Sequence, residues 1–263
     1  MKWTTAKIKA LKGERKIAMT TAHDAPTAAM AAAAGIPAIL VGDSLGMTVL
    51  GYETTLPVTM EEMLHHAAAV ARGAGDALTI ADMPFMSYQP SVETGLRNAG
   101  RFVKEAGADA VKIEGGALRA ELIEALTRNG IPVLGHVGLT PQSVKETGGY
   151  KVQGRTSEQA RKLMDDAMAV EQAGAFALVL ECVPAGLGAK VTQALSIPVI
   201  GIGAGAGCDG QVLVISDLLG LTVGPAPKFV KRYATLRETA ERALSAYRED
   251  VESGAFPAPE QEY

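Results

Sequence analysis

Three carboxylates, Asp43, Asp82 and Glu114, each stand at the end of an apolar run of the chain. If these runs are neighbouring strands of one sheet, they lie about 5 Å apart, so their carboxylates repel one another. A bound hard cation relieves that repulsion, and Mg²⁺ prefers oxygen ligands and needs only one or two carboxylates. The pattern therefore predicts a magnesium site at Asp43, Asp82 and Glu114. For Asp43 the alternative is a helix N-cap, a position that aspartate favours.

Lys112 lies two residues before Glu114, so the two side chains point to the same face of a strand. A lysine at this place can bind a carboxylate substrate or serve as a Schiff-base nucleophile. It can equally be an ion-pair partner of Asp82 and Glu114. The residues alone leave these alternatives open.

Glu181 and His136 end two further apolar runs. Glu181 has apolar neighbours, and a partly desolvated carboxylate is suited to general-base catalysis near neutral pH. The alternative is that Glu181 only supports another site residue through a hydrogen bond and does not act as the base. His136 can bind a metal or a substrate, but a single histidine in an apolar strand is more often a hydrogen-bonded core residue.

A glycine series, GIGAGAG at residues 201–207, resembles a nucleotide-binding loop only superficially. The pattern G-x-G-x-x-G fails because Ala206 or Cys208 stands at its last position, and the series comes late in the chain. We expect these glycines to allow close backbone approach or closure of the fold.

The elements that must position these residues are eight apolar runs with helical patterns between most of them. Runs that are apolar throughout are typical of strands covered on both faces, and eight of them predict a (β/α)8 TIM barrel, a fold of about 250 residues. In this fold the site collects at the C-terminal ends of the strands. We therefore predict a single TIM-barrel catalytic domain over residues 1–263. The runs are Ile17–Thr21, Ala38–Gly42, Leu78–Ala81, Ala110–Ile113, Pro132–Gly135, Phe176–Leu180, Ile197–Ile202 and Leu219–Val223.

Capping signals locate the helices between the runs. Thr59 with Glu62, and Thr156 with Gln159, form capping boxes, and Ser91 is an N-cap. A final amphipathic helix is predicted at about Tyr233–Val251. Two connections are longer than a plain turn requires, and long ordered loops at the catalytic end are usually lids or substrate walls. These connections are 44–58 and 138–155, and we expect the second to be a mobile wall.

Composition excludes several classes of partner. The net charge of −4 argues against nucleic acid, and the absence of an apolar stretch of 18 residues argues against a membrane span. No apolar core follows the basic N-terminus, so we expect no signal peptide. With only Cys182 and Cys208, the chain needs no disulfide and suits a reduced cytoplasm.

Seven motifs, in order, resemble those of the ketopantoate hydroxymethyltransferase family over residues 20–231. The motifs are VGDSLGM at 41–47, ADMPFM at 81–86, VKIEGG at 111–116, GHVGLTPQSV at 135–144, GGYKVQGR at 148–155, LVLECVP at 178–184 and IPVIGIGAG at 197–205. Two positions depart from the family pattern. His23 stands where the family usually has tyrosine, and Ser216 where it has histidine.

The resemblance implies transfer of a hydroxymethyl group from 5,10-methylenetetrahydrofolate to 3-methyl-2-oxobutanoate. The product is 2-dehydropantoate (ketopantoate), a precursor of pantothenate and coenzyme A. It also implies Mg²⁺, a Mg-stabilised enolate, a barrel of the phosphoenolpyruvate/pyruvate-processing type, and a cytoplasmic homo-oligomer, often a decamer. Carried over by motif, the site residues are the metal ligands Asp43, Asp82 and Glu114, the keto-acid contacts Asp43, Ser44, Asp82 and Lys112, and the base Glu181.

Three other hypotheses remain at the level of sequence. One is a carbon–carbon or carbon–phosphorus bond enzyme of the phosphoenolpyruvate mutase and isocitrate lyase group, although no cysteine loop of the lyase kind is evident. Another is a Schiff-base aldolase built on Lys112. The third is a barrel that binds a metabolite without catalysis, which the complete set of polar residues disfavours.

Overall fold

The computed structural model describes residues 1–224 and 226–263. Within them the chain forms two compact units, Met1–Val214 and Ile215–Tyr263, which are described separately below. The single domain expected over residues 1–263 stays a prediction.

The first unit is a closed barrel of eight parallel strands in sequential order, which confirms the predicted fold class. Strand β1 pairs with both β2 and β8, and the pairing of Met19 with Val212 closes the ring. The strands are β1 Ile17–Thr21, β2 Ala38–Val41, β3 Leu78–Asp82, β4 Ala110–Glu114, β5 Val133–Gly138, β6 Ala177–Glu181, β7 Val199–Ile202 and β8 Gly210–Leu213.

Alternation along the strands divides the core into two layers. One set of side chains packs inside the barrel, for example Leu40, Ile80 and Leu134. Ile8, from the helix that precedes β1, belongs to this interior cluster. The other set points outward and packs against the surrounding helices, for example Ile39 and Val111. Because interior positions recur every second residue, polar residues on the same register also face inward at the C-terminal ends of the strands.

Nine helices belong to the first unit among the described residues. The capping boxes predicted at Thr59 with Glu62 and at Thr156 with Gln159 are both present, and Ser91 caps its helix as predicted. The helices are α1 Thr5–Lys9, α2 Ala25–Ala33, α3 Leu45–Thr48, α4 Met60–Gly73, α5 Val92–Lys104, α6 Ala120–Arg128, α7 Val144–Thr147, α8 Ser157–Gln172 and α9 Ala185–Ala194; short 3-10 turns lie at Ala117–Arg119 and Pro141–Ser143.

The prediction of the eighth strand at Leu219–Val223 is wrong. Strand β8 is Gly210–Leu213, which begins just after the glycine series. It is short, and its Gln211 is exposed, so it lacks the continuous apolar character of a strand covered on both faces. The Leu219–Val223 run instead follows a short helix, and the Leu221 amide donates to the Ser216 carbonyl in the turn that ends it.

The second unit contains two helices, α10 Ile215–Leu218 and α11 Leu236–Ser253. The last helix begins three residues later than predicted, because the amides of Tyr233 and Leu236 donate to carbonyls at the end of α10. Helix α11 has no buried residue, and its apolar side chains Leu244 and Tyr247 are exposed. None of the helices that the structure describes is long and apolar enough to cross a membrane.

Candidate active site

The strand register brings the candidate residues to one rim of the barrel. Asp82 on β3 lies opposite Lys112 on β4, and Glu114 on β4 lies opposite His136 on β5. Asp82, Lys112, Glu114 and His136 each lie two or four residues after an apolar residue of the barrel interior on the same strand. Their side chains therefore also point into the barrel. Glu181, the last residue of β6, pairs with Gly138 on β5. The C-terminal ends of β3 to β6 therefore form a continuous polar arc.

Asp43, directly after β2, joins this arc through Asp82. Its backbone amide donates to Asp82 Oδ2 at 3.0 Å, and both carboxylates are buried. Burial and the charges of Asp82 and Glu114 raise the pKa of Asp43 well above its usual value. Burial also raises the pKa of Asp82, although Lys112 opposes that rise. Asp43 is not the N-cap of α3, because Ser44 occupies that position.

Lys112 lies among the carboxylates of the arc. Its Nζ is 3.3 Å from Asp82 Oδ1 and 3.7 Å from Glu114 Oε1. Burial lowers the pKa of a lysine, but the charges of Asp82, Glu114 and Asp43 outweigh it here and raise the pKa of Lys112. The side chain is therefore a fixed cation at neutral pH, and the ion-pair interpretation of Lys112 matches its contacts.

Glu114 is held from two sides. Burial alone would raise its pKa, but the contact with His136 and the charge of Lys112 lower it below the usual value. Its Oε2 accepts from the backbone amide of Gln142 at 3.0 Å. Glu114 is therefore ionised at neutral pH, and its pKa is shifted in the opposite direction to that of Asp43.

His136 lies between the carboxylate cluster and Glu181. Its Nδ1 is 3.1 Å from Lys112 Nζ and 3.5 Å from Glu114 Oε1, and its Nε2 is 3.2 Å from Glu181 Oε2. Burial and Lys112 lower the pKa of His136, but Glu114 and Glu181 outweigh them and raise it to about 9. The histidine is thus a buried residue with polar contacts on both sides, which is compatible with the core-residue alternative as well as with a role in the site.

Glu181 differs from the expectation in its surroundings. The sequence predicts a carboxylate among apolar neighbours. In the structure Glu181 contacts His136 on the neighbouring strand, and its side chain is 15% exposed. The two residues come from neighbouring strands, so their contact depends on the register of β5 with β6. Glu181 is consequently the one carboxylate of the arc that is open to the mouth of the barrel.

Ser44 lies at the same rim, beside Asp43. It is partly exposed and is the N-cap residue of α3. Its hydroxyl makes no capping hydrogen bond to that helix. The side chain can therefore bind a ligand in the mouth of the barrel without loss of a helix cap.

Gln142 and Tyr88 are two site residues that the sequence analysis did not single out. Gln142 belongs to the Pro141–Ser143 turn and donates from Nε2 to Asp43 Oδ2 at 2.9 Å. The Tyr88 hydroxyl donates to Gln142 Oε1 at 2.8 Å. Both residues are buried. Gln142 lies inside the GHVGLTPQSV motif, which is the one signal in the sequence that points to it.

The two long connections meet over the site. The Tyr150 hydroxyl, from the connection 138–155, lies 3.7 Å from Met47 Sδ, from the connection 44–58. Burial raises the pKa of Tyr150, and the charges of Asp43 and Glu181 raise it further. These charges act on the phenol because it lies near the carboxylates. The contact is consistent with a wall over the site, and the mobility of the wall stays a prediction.

The glycine series packs against a helix. A Cβ at Gly205 would lie 2.5 Å from Ala185 Cβ, and one at Gly207 would lie 2.8 Å from Ala189 Cβ. Both alanines are in α9. The glycines therefore permit close approach of the β7–β8 connection to this helix. Close backbone approach is the role predicted for them once the nucleotide-binding pattern is rejected.

The carboxylates of the arc fit a hard cation that keeps part of its water. Within residues 1–224 and 226–263, no group of three or more His, Cys, Asp or Glu side chains is placed so that it could hold a metal ion. Mg²⁺ does not require one, since it takes one or two carboxylates and retains several waters. Asp82 Oδ1 and Glu114 Oε1 are buried and face the Lys112 ammonium at 3.3 and 3.7 Å, but neither has a hydrogen-bond partner among the described residues. Such atoms are costly to bury unless a ligand satisfies them.

Comparison with known proteins finds relatives that match nearly the whole chain. A 3-methyl-2-oxobutanoate hydroxymethyltransferase of Syntrophus aciditrophicus (strain SB) is 56% identical over 257 residues, which cover 97% of this chain and 94% of that protein. The protein of the same name in Carboxydothermus hydrogenoformans (strain ATCC BAA-161 / DSM 6008 / Z-2901) is 57% identical, with 97% and 92% covered.

Among solved structures, a phosphoenolpyruvate phosphomutase from Streptomyces platensis subsp. rosaceus superposes with a TM-score of 0.63. It is 17% identical, with 97% of this chain and 92% of that chain covered, so the likeness concerns the fold alone. The model of one sequence family, described as ketopantoate hydroxymethyltransferase, matches residues 2–259. With this match over nearly the whole chain, the protein belongs to the ketopantoate hydroxymethyltransferase family.

Proposed function

We propose that the protein transfers a hydroxymethyl group from 5,10-methylenetetrahydrofolate to 3-methyl-2-oxobutanoate and thereby forms 2-dehydropantoate for pantothenate and coenzyme A synthesis. The observation that carries the proposal is the polar arc, in which a carboxylate cluster with one lysine is joined through His136 to Glu181. Membership of the family supports the substrate and the reaction.

Mg²⁺ is the metal that these residues would hold, through Asp43 and Asp82, with Glu114 beside it. When bound, it polarises the keto oxygen and makes the C3 proton of the keto acid more acidic. Asp82 Oδ1 supports this assignment, because this buried oxygen faces Lys112 but has no hydrogen-bond partner among the described residues. The raised pKa of Asp43 supports it too, because carboxylates crowded in this way need a counter-charge.

Lys112 and Ser44 bind the keto acid. The Lys112 ammonium is buried and permanently charged, so it can face the substrate's carboxylate without loss of its own ion pairs. Ser44 adds a hydroxyl at the partly exposed side of the mouth. A charged lysine is a poor nucleophile, so its contacts favour binding of the substrate over the alternative of a Schiff base.

Glu181 is the base that removes the proton from C3. The proton passes to its carboxylate, the electron pair becomes the enolate, and C3 then attacks the methylene carbon of the folate. The methylene carbon leaves one folate nitrogen as C3 attacks it and leaves the second as water adds the hydroxyl group. The two nitrogens take up the proton held by Glu181 and one proton from water, so tetrahydrofolate and 2-dehydropantoate leave. His136 Nε2 lies 3.2 Å from Glu181 Oε2 and holds the carboxylate toward the substrate. Exclusion of bulk water by the connection 138–155 protects the enolate.

The assembly that we propose is a homo-oligomer, for which a decamer is the family's usual number. The exposed apolar side chains of α11, such as Leu244 and Tyr247, support self-association because an 18-residue amphipathic helix seldom leaves its apolar face in water. The cytoplasm is the proposed compartment, and the free thiols of Cys182 and Cys208 support it.

The direct test is an assay of the purified protein with 3-methyl-2-oxobutanoate and 5,10-methylenetetrahydrofolate. We expect 2-dehydropantoate and tetrahydrofolate in equal amounts, loss of the reaction after EDTA, and recovery with added Mg²⁺. Cleavage of a phosphonate or of a 2-hydroxy tricarboxylate without folate transfer would instead support the mutase and lyase hypothesis.

A further inference from the structure

Gln142 is a polar side chain that a surface connection carries into the buried site. It is 5% exposed, although Lys145 and Glu146, a few residues further along the same connection, are exposed. A loop seldom buries an amide unless its hydrogen bonds are satisfied. The partners of Gln142 therefore indicate why the loop follows this path.

Every hydrogen-bonding position of the Gln142 side chain is occupied. Nε2 donates to Asp43 Oδ2 and to the Met83 carbonyl, each at 2.9 Å. Oε1 accepts from the Tyr88 hydroxyl at 2.8 Å and from Gln89 Nε2 at 3.0 Å. The Met83 carbonyl can only accept, so the nitrogen of the amide must be on this side. The amide thus has one orientation that satisfies all its neighbours.

The backbone of the same residue holds a second carboxylate. The Gln142 amide donates to Glu114 Oε2 at 3.0 Å, while its side chain donates to Asp43 Oδ2. One residue therefore fixes one oxygen of each of these two carboxylates. The other oxygen of Glu114 is left without a hydrogen-bond partner.

We propose that Gln142 is a positioning residue that couples the metal-binding carboxylates to the closed position of the connection 138–155. If the connection lifts away, Asp43 and Glu114 both lose their donors. Conversely, a cation that holds these carboxylates in place also holds Gln142, and with it the start of the connection. By linkage, metal binding and closure of the connection then favour each other. This inference rests on the proposed function, because it takes Asp43 and Glu114 as part of the metal site.

The test uses the full-length protein with Mg²⁺ alone and needs no turnover. In the wild type we expect Mg²⁺ to slow amide hydrogen exchange in residues 143–153. Gln142→Met keeps the length of the side chain and the backbone amide but removes all side-chain hydrogen bonds. We expect its Kd for Mg²⁺, measured by calorimetry, to rise roughly 10- to 100-fold and the effect of Mg²⁺ on loop exchange to be lost.

Gln153→Met is the matched control, since Gln153 lies on the same connection and its side chain donates only to the Lys151 carbonyl among the described contacts. We expect this variant to bind Mg²⁺ and to protect the loop as the wild type does. Gln142→Asn retains a buried amide that is too short to reach all its partners. It is measured in the same way, and it takes the place of Gln142→Met if that variant fails to fold.

The outcomes separate this inference from the proposed function. If the wild type binds no Mg²⁺, the metal site of the proposed function is wrong. If the wild type binds Mg²⁺ but a folded Gln142 variant shows the same Kd and the same loop protection, the coupling through Gln142 is wrong and the metal site stands.

Discussion

His136 Nε2 lies 3.2 Å from Glu181 Oε2, and this contact joins Glu181, the proposed base, to the carboxylate cluster on the other side of the imidazole. On that side, His136 Nδ1 lies 3.1 Å from Lys112 Nζ. With its pKa raised to about 9, His136 is mainly protonated at neutral pH, so both ring nitrogens carry a proton. In the neutral form, which is populated at higher pH, Nδ1 accepts from Lys112, because an ammonium has only donors, and Nε2 keeps its proton. In both forms Nε2–H can orient Glu181, the proposed base.

Replacement of His136 should lower kcat more than it changes KM for the keto acid. In His136→Ala, Glu181 loses the group that orients it, and we expect kcat to fall roughly 10- to 100-fold, the usual cost of losing a residue that orients a ligand. His136→Gln can still donate to Glu181, so it should retain more activity than the alanine variant. Steady-state kinetics of the two variants make the comparison, and equal activity in both would contradict an orienting role.

Asp82→Asn should reduce metal affinity and activity together. The change removes one negative charge from the proposed ligand set but keeps the shape of the side chain. We expect weaker Mg²⁺ binding by calorimetry and a parallel loss of turnover that excess Mg²⁺ partly restores. Asp165→Asn, at an exposed position on α8, is the control and should match the wild type. Normal activity of Asp82→Asn in metal-depleted buffer would exclude the proposed site.

Binding of Mg²⁺ should release protons, because burial and the neighbouring carboxylates raise the pKa of Asp43 whereas a bound cation favours its ionised form. A metal ligand must be ionised, so Mg²⁺ affinity should increase with pH up to that raised pKa and then level off. The metal-free protein should lose stability as pH rises above the ordinary aspartate value of about 3.9, since the folded state then binds more protons than the unfolded state.

Calorimetry in two buffers with different heats of ionisation measures the protons released by Mg²⁺. Asp43→Asn should release fewer of them at the same pH. An affinity for Mg²⁺ that does not change with pH in the wild type would contradict the assignment.

The connection 138–155 should become more protected when the keto acid and the folate are both present. Its Tyr150 contacts Met47 through the hydroxyl, so Tyr150→Phe should retain the shape of the loop but show less of this protection. Hydrogen exchange followed by mass spectrometry measures the effect, and α8 serves as an internal reference. Exchange that is unchanged by the ligands would mean that the connection is a fixed wall.

The sequence allowed most of the barrel to be predicted because seven strands are continuous apolar runs. The eighth strand, Gly210–Leu213, was not predicted because it is short, starts with glycine and exposes Gln211. The more apolar run at 219–223 was predicted as the eighth strand instead. Apolar character alone therefore separates buried strands from turns only where a strand is covered on both faces.

The candidate site was predicted in part for the same physical reason. Because side chains alternate along a strand, Lys112 and Glu114 lie on the same face of β4 regardless of how the other strands are arranged. The contact between His136 and Glu181 depends instead on the register of two strands, which neither strand encodes alone. Gln142 depends on the path of a long connection, and no periodicity fixes such a path.

Proton exchange at C3 of 3-methyl-2-oxobutanoate in D₂O, without folate, tests the central claim most directly because it isolates formation of the enolate from transfer. The wild type with Mg²⁺ should exchange this proton rapidly. Glu181→Gln retains the shape of the side chain but cannot accept the proton, so we expect exchange to slow by roughly 10²- to 10⁴-fold, with Mg²⁺ and keto-acid binding little changed. If Glu181→Gln exchanges the proton as fast as the wild type, another group is the base and the account of the reaction is wrong.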